Sequence, residues 1–205
     1  MTLENSKTTT TLIAGLGGQG VVLASGVLAQ AALLAGYDVC QSEMHGLSQR
    51  FGSVSCQVRL GTGLYSTHRG HKAVDLLLSL EGFEAFKQLP FLRPDGIALA
   101  NRLWRKPTVA KPPTAASPAS TSSPAQLNDP RISWFPGTEA TGQANCPRSL
   151  NFYMLGVLST RMEIDDMYWQ EAIESSTSSR GRNVNHEMFA TGRQVAIRSE
   201  ACRSL

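Results

Sequence analysis

Gly15, Gly17 and Gly20 stand between the apolar residues 12–14 and a segment rich in alanine and leucine. Their spacing is G-x-G-x-x-G, in which glycines permit a tight turn and N–H groups at a helix start attract an anion. Such a turn has three open uses: to hold a dinucleotide, to hold another anion, or to let a helix pack closely on a strand. Glu43 lies 23 residues beyond Gly20, where a ribose-binding acid would stand. It belongs to a polar cluster of Glu43, His45, Ser48, Gln49, Arg50 and Ser53. Glu43 and His45 are the candidate acid–base pair. Gly15, Gly17, Gly18, Gln19, Gly20, Gln49, Arg50 and Ser53 are the candidate contacts to an anionic ligand. Arg50, and Arg59 beyond it, offer the planar fork that suits phosphate or carboxylate. No second histidine stands at ligand spacing from His45, and His68 and His71 lie beside basic residues, so no metal site is expected. The serines lack a nucleophile elbow, which argues against a hydrolase.

Two details set the turn apart from an ordinary nicotinamide site. Gly18 and Gln19 make it an uninterrupted "GGQG" with a polar side chain at the helix entrance. The polar cluster also follows the second strand directly, at the carboxyl end where open α/β sheets bind ligands.

The elements that must position these residues are legible in order. Residues 10–14 read as a buried strand, 20–35 as a helix ended by Gly36, and 37–43 as a second strand. In 53–60, Val54, Cys56, Val58 and Leu60 alternate with Ser53, Ser55, Gln57 and Arg59. With the "GTG" that follows, this predicts a β-hairpin over 53–67. Further strands are expected at 73–80 and 95–101 around a helix from Glu81 to Leu89. After residue 130 come a strand at "RISWF" and helices at "SLNFYMLGVLS", "IDDMYWQEAIES" and "NVNHEMFATGRQVAIRS". Strands alternating with helices predict a three-layer α/β/α sandwich. Its sheet is mostly parallel with an antiparallel hairpin, and its first βαβ is Rossmann-like. The chain, residues 1–205, reads as one domain, interrupted at 107–130 by a flexible Pro/Ser-rich insertion.

Composition narrows the function classes. The net charge of +3 is modest and scattered, so neither nucleic acid nor an anionic membrane is an expected partner. No apolar run reaches the roughly 18 residues of a membrane span, and residues 1–10 lack a secretory pattern, which predicts a cytoplasmic protein. Cys40, Cys56, Cys146 and Cys202 are too dispersed for a cluster framework and read as isolated thiols. Trp104, Trp134 and Trp169 are candidates for core or for interface.

The run "GLGGQGVVLASGVLAQAALLAGYDV" and the following "SEMHGLSQRFGSVSCQVRLG" resemble the gamma-type component of the 2-oxoacid:ferredoxin oxidoreductases. The E-x-H-G-x-x-Q-R-x-G loop is similar to that of the small beta subunit in the indolepyruvate branch, and differs from the pyruvate type. The likeness extends over most of residues 10–195. Phe51 departs from a family glycine, 107–130 departs from the expected strand and turn, and the tail after Gly192 is short and basic.

The resemblance implies a subunit of an enzyme that oxidatively decarboxylates a 2-oxoacid, here an aryl pyruvate such as indolepyruvate, to acyl-CoA and CO2 while reducing ferredoxin. It implies thiamine diphosphate, Mg and 4Fe-4S clusters on a larger alpha subunit, coenzyme A as co-substrate, ferredoxin met through the complex, and no cofactor held tightly by this chain. The Gly15–Gly20 turn and Arg50 would then meet a coenzyme A phosphate. A stand-alone NAD(P)-binding oxidoreductase and a diverged, non-catalytic assembly module are the competing expectations.

Overall fold

The computed structural model describes residues 8–45, 52–64, 72–104 and 129–203. Strand β1 (Thr9–Leu16) is rich in β-branched residues and lies in the middle of a six-stranded sheet. Helix α1 (Val21–Leu34) follows, apolar on almost every side and buried accordingly. It stops where Gly36 adopts φ 87°: Gly36 N–H donates to Leu33 O and Tyr37 N–H to Ala32 O, each at 3.0 Å, the paired bonds of a Schellman end.

Then come β2 (Asp38–His45), β3 (Ser53–Gly61), β4 (Val74–Ser79), α2 (Gly82–Gln88), β5 (Leu92–Asn101) and β6 (Ile132–Phe135). A short helix α3 (Gly137–Gln143) leads to α4 (Leu150–Ser159), α5 (Asp166–Ser176) and α6 (Arg182–Arg203). The sheet order is β2-β3-β1-β4-β5-β6, parallel from β1 through β6 and antiparallel at β2–β3 and β3–β1. This is the α/β sheet the sequence predicts, but the hairpin is elsewhere. β3 pairs with β1 on one edge and β2 on the other along its full length, so neither of its edges is open to a further strand. The antiparallel hairpin is therefore β2–β3, and residues 65–71 lie outside the described residues.

Both faces of β3 are covered, the polar one included. Ser55, Gln57 and Arg59 are all buried, Arg59 to 4% exposure. Arg59 pairs with Thr10, six residues from Ser53, which is roughly 20 Å along the strand at 3.4 Å per residue. It cannot join an anion site at the other end of the sheet.

The two helical layers are unequal. On one face α1, α4, α5 and α6 enclose Ile13, Cys56, Val58 and Leu78 with Phe152, Trp169 and Phe189. On the other, α2 covers Leu12, Ala14, Leu77 and Ala98. There Trp104 and Trp134 stack against each other at 5.1 Å and against Phe86 at 6.0 Å, half-buried, while Trp169 is fully buried in the opposite layer. No helix among the described residues is long and apolar enough to cross a membrane.

The tightest packing joins α4 to α6. A Cβ on Gly156 would lie 2.0 Å from Phe189 O, and one on Gly192 would lie 1.9 Å from Tyr153 O. Every residue of α4 is buried, Tyr153 included, and its phenol oxygen finds no hydrogen-bond partner among the described residues. Burial, reinforced by the carboxylate of Glu139, pushes that phenol up to about 12.

Two outcomes follow for stability. Gly156→Ala and Gly192→Ala each cost about 3 kcal/mol or more in urea unfolding, since two backbones must separate. Gly26→Ala in α1, with nothing within 4 Å, is neutral or gains up to about 1 kcal/mol. For Tyr153 the folded chain keeps its proton to higher pH than the unfolded chain does. The stabilisation is full below about pH 10 and falls by about 2–3 kcal/mol as pH rises towards 12. Tyr153→Phe removes that slope in unfolding curves taken between pH 9 and 12.

Candidate functional site

β1 and β4 are hydrogen-bonded neighbours whose chains leave in opposite directions. From β1 the chain passes through α1 to β2 at one margin of the sheet, and from β4 it passes through α2 to β5 towards the other. The crevice outside their carboxyl ends is the topological switch point, where open α/β sheets bind ligands. The Gly-rich turn lies on one side of it and Leu80–Glu81 on the other.

The turn is closed from within. Gln19 N–H donates to Leu16 O at 3.0 Å, and Gln19 Oε1 accepts the Leu16 N–H at 2.7 Å. Gln19 Nε2 reaches Leu80 O at 3.4 Å, and Leu80 N–H donates to Ala14 O at 2.8 Å. Asn101, fully buried at the end of β5, donates to the same Leu80 carbonyl at 3.1 Å. Asn101 also donates to Thr138 Oγ1 at 2.8 Å and accepts the Thr138 N–H at 3.0 Å, which fixes the start of α3. One carbonyl thus gathers the ends of β1, β4 and β5.

The glycines divide into roles. A Cβ on Gly15 would meet Gln19 Oε1 at 2.8 Å and Val21 Cγ2 at 2.9 Å, and one on Gly20 would meet Asn151 Nδ2 at 2.7 Å. These two are needed for packing. Gly17 spends its N–H on Gly52 O at 2.9 Å. Gly18, at φ 92° with open space around it, is needed for its backbone angle.

Gly20, at φ 81°, is the N-cap of α1 and carries no side chain to cap it, and the first turn holds no acid. The first intrahelical bond is Ala24 N–H to Gly20 O at 2.9 Å, so the N–H groups of Val21, Val22 and Leu23 have no partner inside the helix. Half-exposed Val22 and Leu23 frame them. These donors and the helix dipole suit an anion.

The other candidates are distributed unevenly. Glu43 lies exposed on β2 directly opposite Cys56. Burial, and after it the Glu43 carboxylate, push the Cys56 thiol up, against an opposing hydrogen bond from Ser25. β3 stands between β2 and β1, so Glu43 is two strand spacings, about 9–10 Å, from the strand that carries the glycines. In the dinucleotide fold those strands are adjacent, and a ribose acid at Glu43 does not fit here.

His45 ends β2 with its backbone opposite Val54. Ser48, Gln49, Arg50 and Phe51 lie outside the described residues. Ser53 pairs with Leu16, and its hydroxyl donates to Glu84 Oε2 at 2.5 Å. With its proton spent there, it turns only lone pairs towards an incoming anion. Leu80, Glu84, Asn101, Thr138 and Asn151 escape sequence reading, because their roles arise only when distant strand ends and helices meet.

Comparison with known proteins bears on this geometry. The family model "Pyruvate ferredoxin/flavodoxin oxidoreductase" matches residues 10–195. The indolepyruvate oxidoreductase subunits IorB of Thermococcus kodakarensis and Pyrococcus horikoshii are each 42% identical over 90 residues, which is 44% of this chain and 45% of the relative. That of Archaeoglobus fulgidus is 36% identical over 90 residues, covering 44% of each chain. The match thus spans less than half the length of these curated relatives.

Among solved structures, the gamma subunit of a keto/oxoacid ferredoxin oxidoreductase from Geobacter sulfurreducens superposes with a TM-score of 0.68 at 21% identity. That superposition covers 92% of this chain and 98% of the other. A 2-oxoglutarate:ferredoxin oxidoreductase from Magnetococcus marinus, with 2-oxoglutarate, coenzyme A and succinyl-CoA bound, gives 0.72 at 19% identity. There the match covers 93% of this chain and 31% of the other, so a similar fold forms part of a longer chain.

The Gln19 amide is the turn's internal clasp. Gln19→Ala leaves the half-buried Leu16 N–H without its acceptor and lowers unfolding stability by about 1–3 kcal/mol. Amide hydrogen exchange at Leu16 accelerates with it, and exchange at Leu155 in α4 follows global stability alone.

Proposed function

This chain belongs to the pyruvate ferredoxin/flavodoxin oxidoreductase family, and on that premise we propose that it is the small, gamma-type subunit of a 2-oxoacid:ferredoxin oxidoreductase acting on indolepyruvate or another aryl pyruvate. The family match through nearly the whole chain carries this reading, and the named relatives favour the indolepyruvate branch. The complex oxidatively decarboxylates the 2-oxoacid to acyl-CoA and CO2 and reduces ferredoxin. A cytoplasmic location goes with that role.

The division of labour rests on what this chain's residues can hold. Cys40 pairs with Arg59 and Cys56 lies on the opposite face of the sheet, so these thiols do not converge on a cluster. In this reading the larger alpha subunit carries thiamine diphosphate with Mg and the 4Fe-4S clusters, which supply decarboxylation and the path for electrons. This chain binds and orients the anionic end of coenzyme A. The N–H groups of Val21, Val22 and Leu23 hold a phosphate at the head of α1, and Arg50 adds the cationic fork. Glu43 and His45, at the end of β2 and across β3 from the strand that carries the glycines, are the acid–base candidates.

Co-expression with the larger subunit tests the reading through CO2 release that depends on indolepyruvate, coenzyme A and ferredoxin. Val22→Glu places a carboxylate in the first turn of α1, where it stabilises the helix by about 0.3–1 kcal/mol yet repels the phosphate. The KM for coenzyme A rises roughly tenfold, the effect of one like charge about 6 Å away at an effective dielectric near 40. A complex that assembles without turning over makes the chain an assembly module. Micromolar binding of NADH to the isolated chain makes it a dinucleotide-binding protein.

A further inference from the structure

Glu84 is a buried acid that the fold of α2 does not require. The helix is capped by Glu81, whose Oε2 accepts the Glu84 backbone N–H at 3.0 Å. The Glu84 side chain is only 1% exposed, in the layer that holds Ala85 and Phe86. A carboxylate in such a place is costly unless each oxygen is matched, and here both are. Oε1 accepts from Lys87 Nζ at 2.5 Å, and Oε2 accepts from Ser53 Oγ at 2.5 Å.

The second contact reaches across 31 residues to the point where the chain re-enters the sheet. Gly52, one residue earlier, accepts the Gly17 N–H at 2.9 Å. Gly52 and Ser53 are thus gripped from two sides, by the Gly-rich turn and by α2. Lys87 lies mostly in water and reinforces the hold from outside.

We propose that Glu84 is a positioning residue of the anion site. Through Ser53 it fixes Gly52 against Gly17, and so holds the turn in the form that opens the first N–H groups of α1 towards the ligand. The inference rests on the reading that this helix start receives coenzyme A. It assigns Ser53 a hydrogen bond to Glu84 in place of one to the ligand.

The test uses the full chain in its assembled complex. Ser53→Ala removes the grip while Glu84 keeps Lys87, and Ser53→Thr keeps the hydroxyl. Ser53→Ala raises the KM for coenzyme A roughly tenfold with kcat within about twofold, and Ser53→Thr restores it. Hydrogen exchange at the Gly17 amide accelerates at least about tenfold in Ser53→Ala. Glu84→Gln keeps an acceptor for Ser53 but loses the charge, and gives an intermediate KM.

A lowered melting temperature with unchanged KM and unchanged Gly17 exchange would overturn the proposal and leave Glu84 a packing residue. Val22→Glu separates the two levels. If it raises the KM and Ser53→Ala does not, the positioning role alone fails. If neither moves it, the coenzyme A reading fails and this inference with it.

Discussion

The Leu80 carbonyl is the point on which the rest of the site depends. It is a single oxygen at the end of β4, and it accepts from Gln19 and from Asn101, residues of two different elements. The Gln19 bond shapes the turn before α1, and the Asn101 bond extends through Thr138 to the start of α3. Each partner would be expensive to bury alone, and together they satisfy most of one another's bonds. A parallel sheet has no hairpins to tie its carboxyl ends together, so a small polar network does that work between neighbouring strands.

The second constraint is the placement of β3. By running antiparallel between β2 and β1 it turns a familiar β-α-β order into a different site. The glycines keep the dinucleotide spacing, yet the strand that should deliver the ribose acid is displaced by one position. What remains beside the turn is the start of β3, with Ser53 turned towards α2. The same glycine pattern therefore stands beside a displaced second strand, out of reach of a ribose acid at Glu43.

Much of this was legible in the residues. Gly36 after an apolar helix, Glu81 before a short one and the valine- and leucine-rich strands each encode a local preference that the tertiary structure keeps. The hairpin was not legible, because alternation in residues 53–60 shows a strand with two distinct faces and is silent on which strands flank it. Nor does alternation say that the face carrying Ser55, Gln57 and Arg59 is buried along with the apolar one. Helix α3 was missed because "GTEATGQ" has two glycines and no apolar period. Its start is supported by Asn101, 37 residues away. Gln19 was read as facing a ligand, whereas its carbonyl oxygen is taken by a neighbour three residues away.

The close approach of α4 and α6 at Gly156 and Gly192 has a consequence along the chain as well as in space. Through it α6 lies backbone to backbone on α4, and α4 carries Asn151, whose side chain abuts Gly20. The first turn of the chain is thus braced by a helix that is itself braced by the last one. The glycine turn thus draws its support from residues more than 170 positions further along the chain. Helix α1 and its turn therefore reach their final packing only once these distant helices have docked.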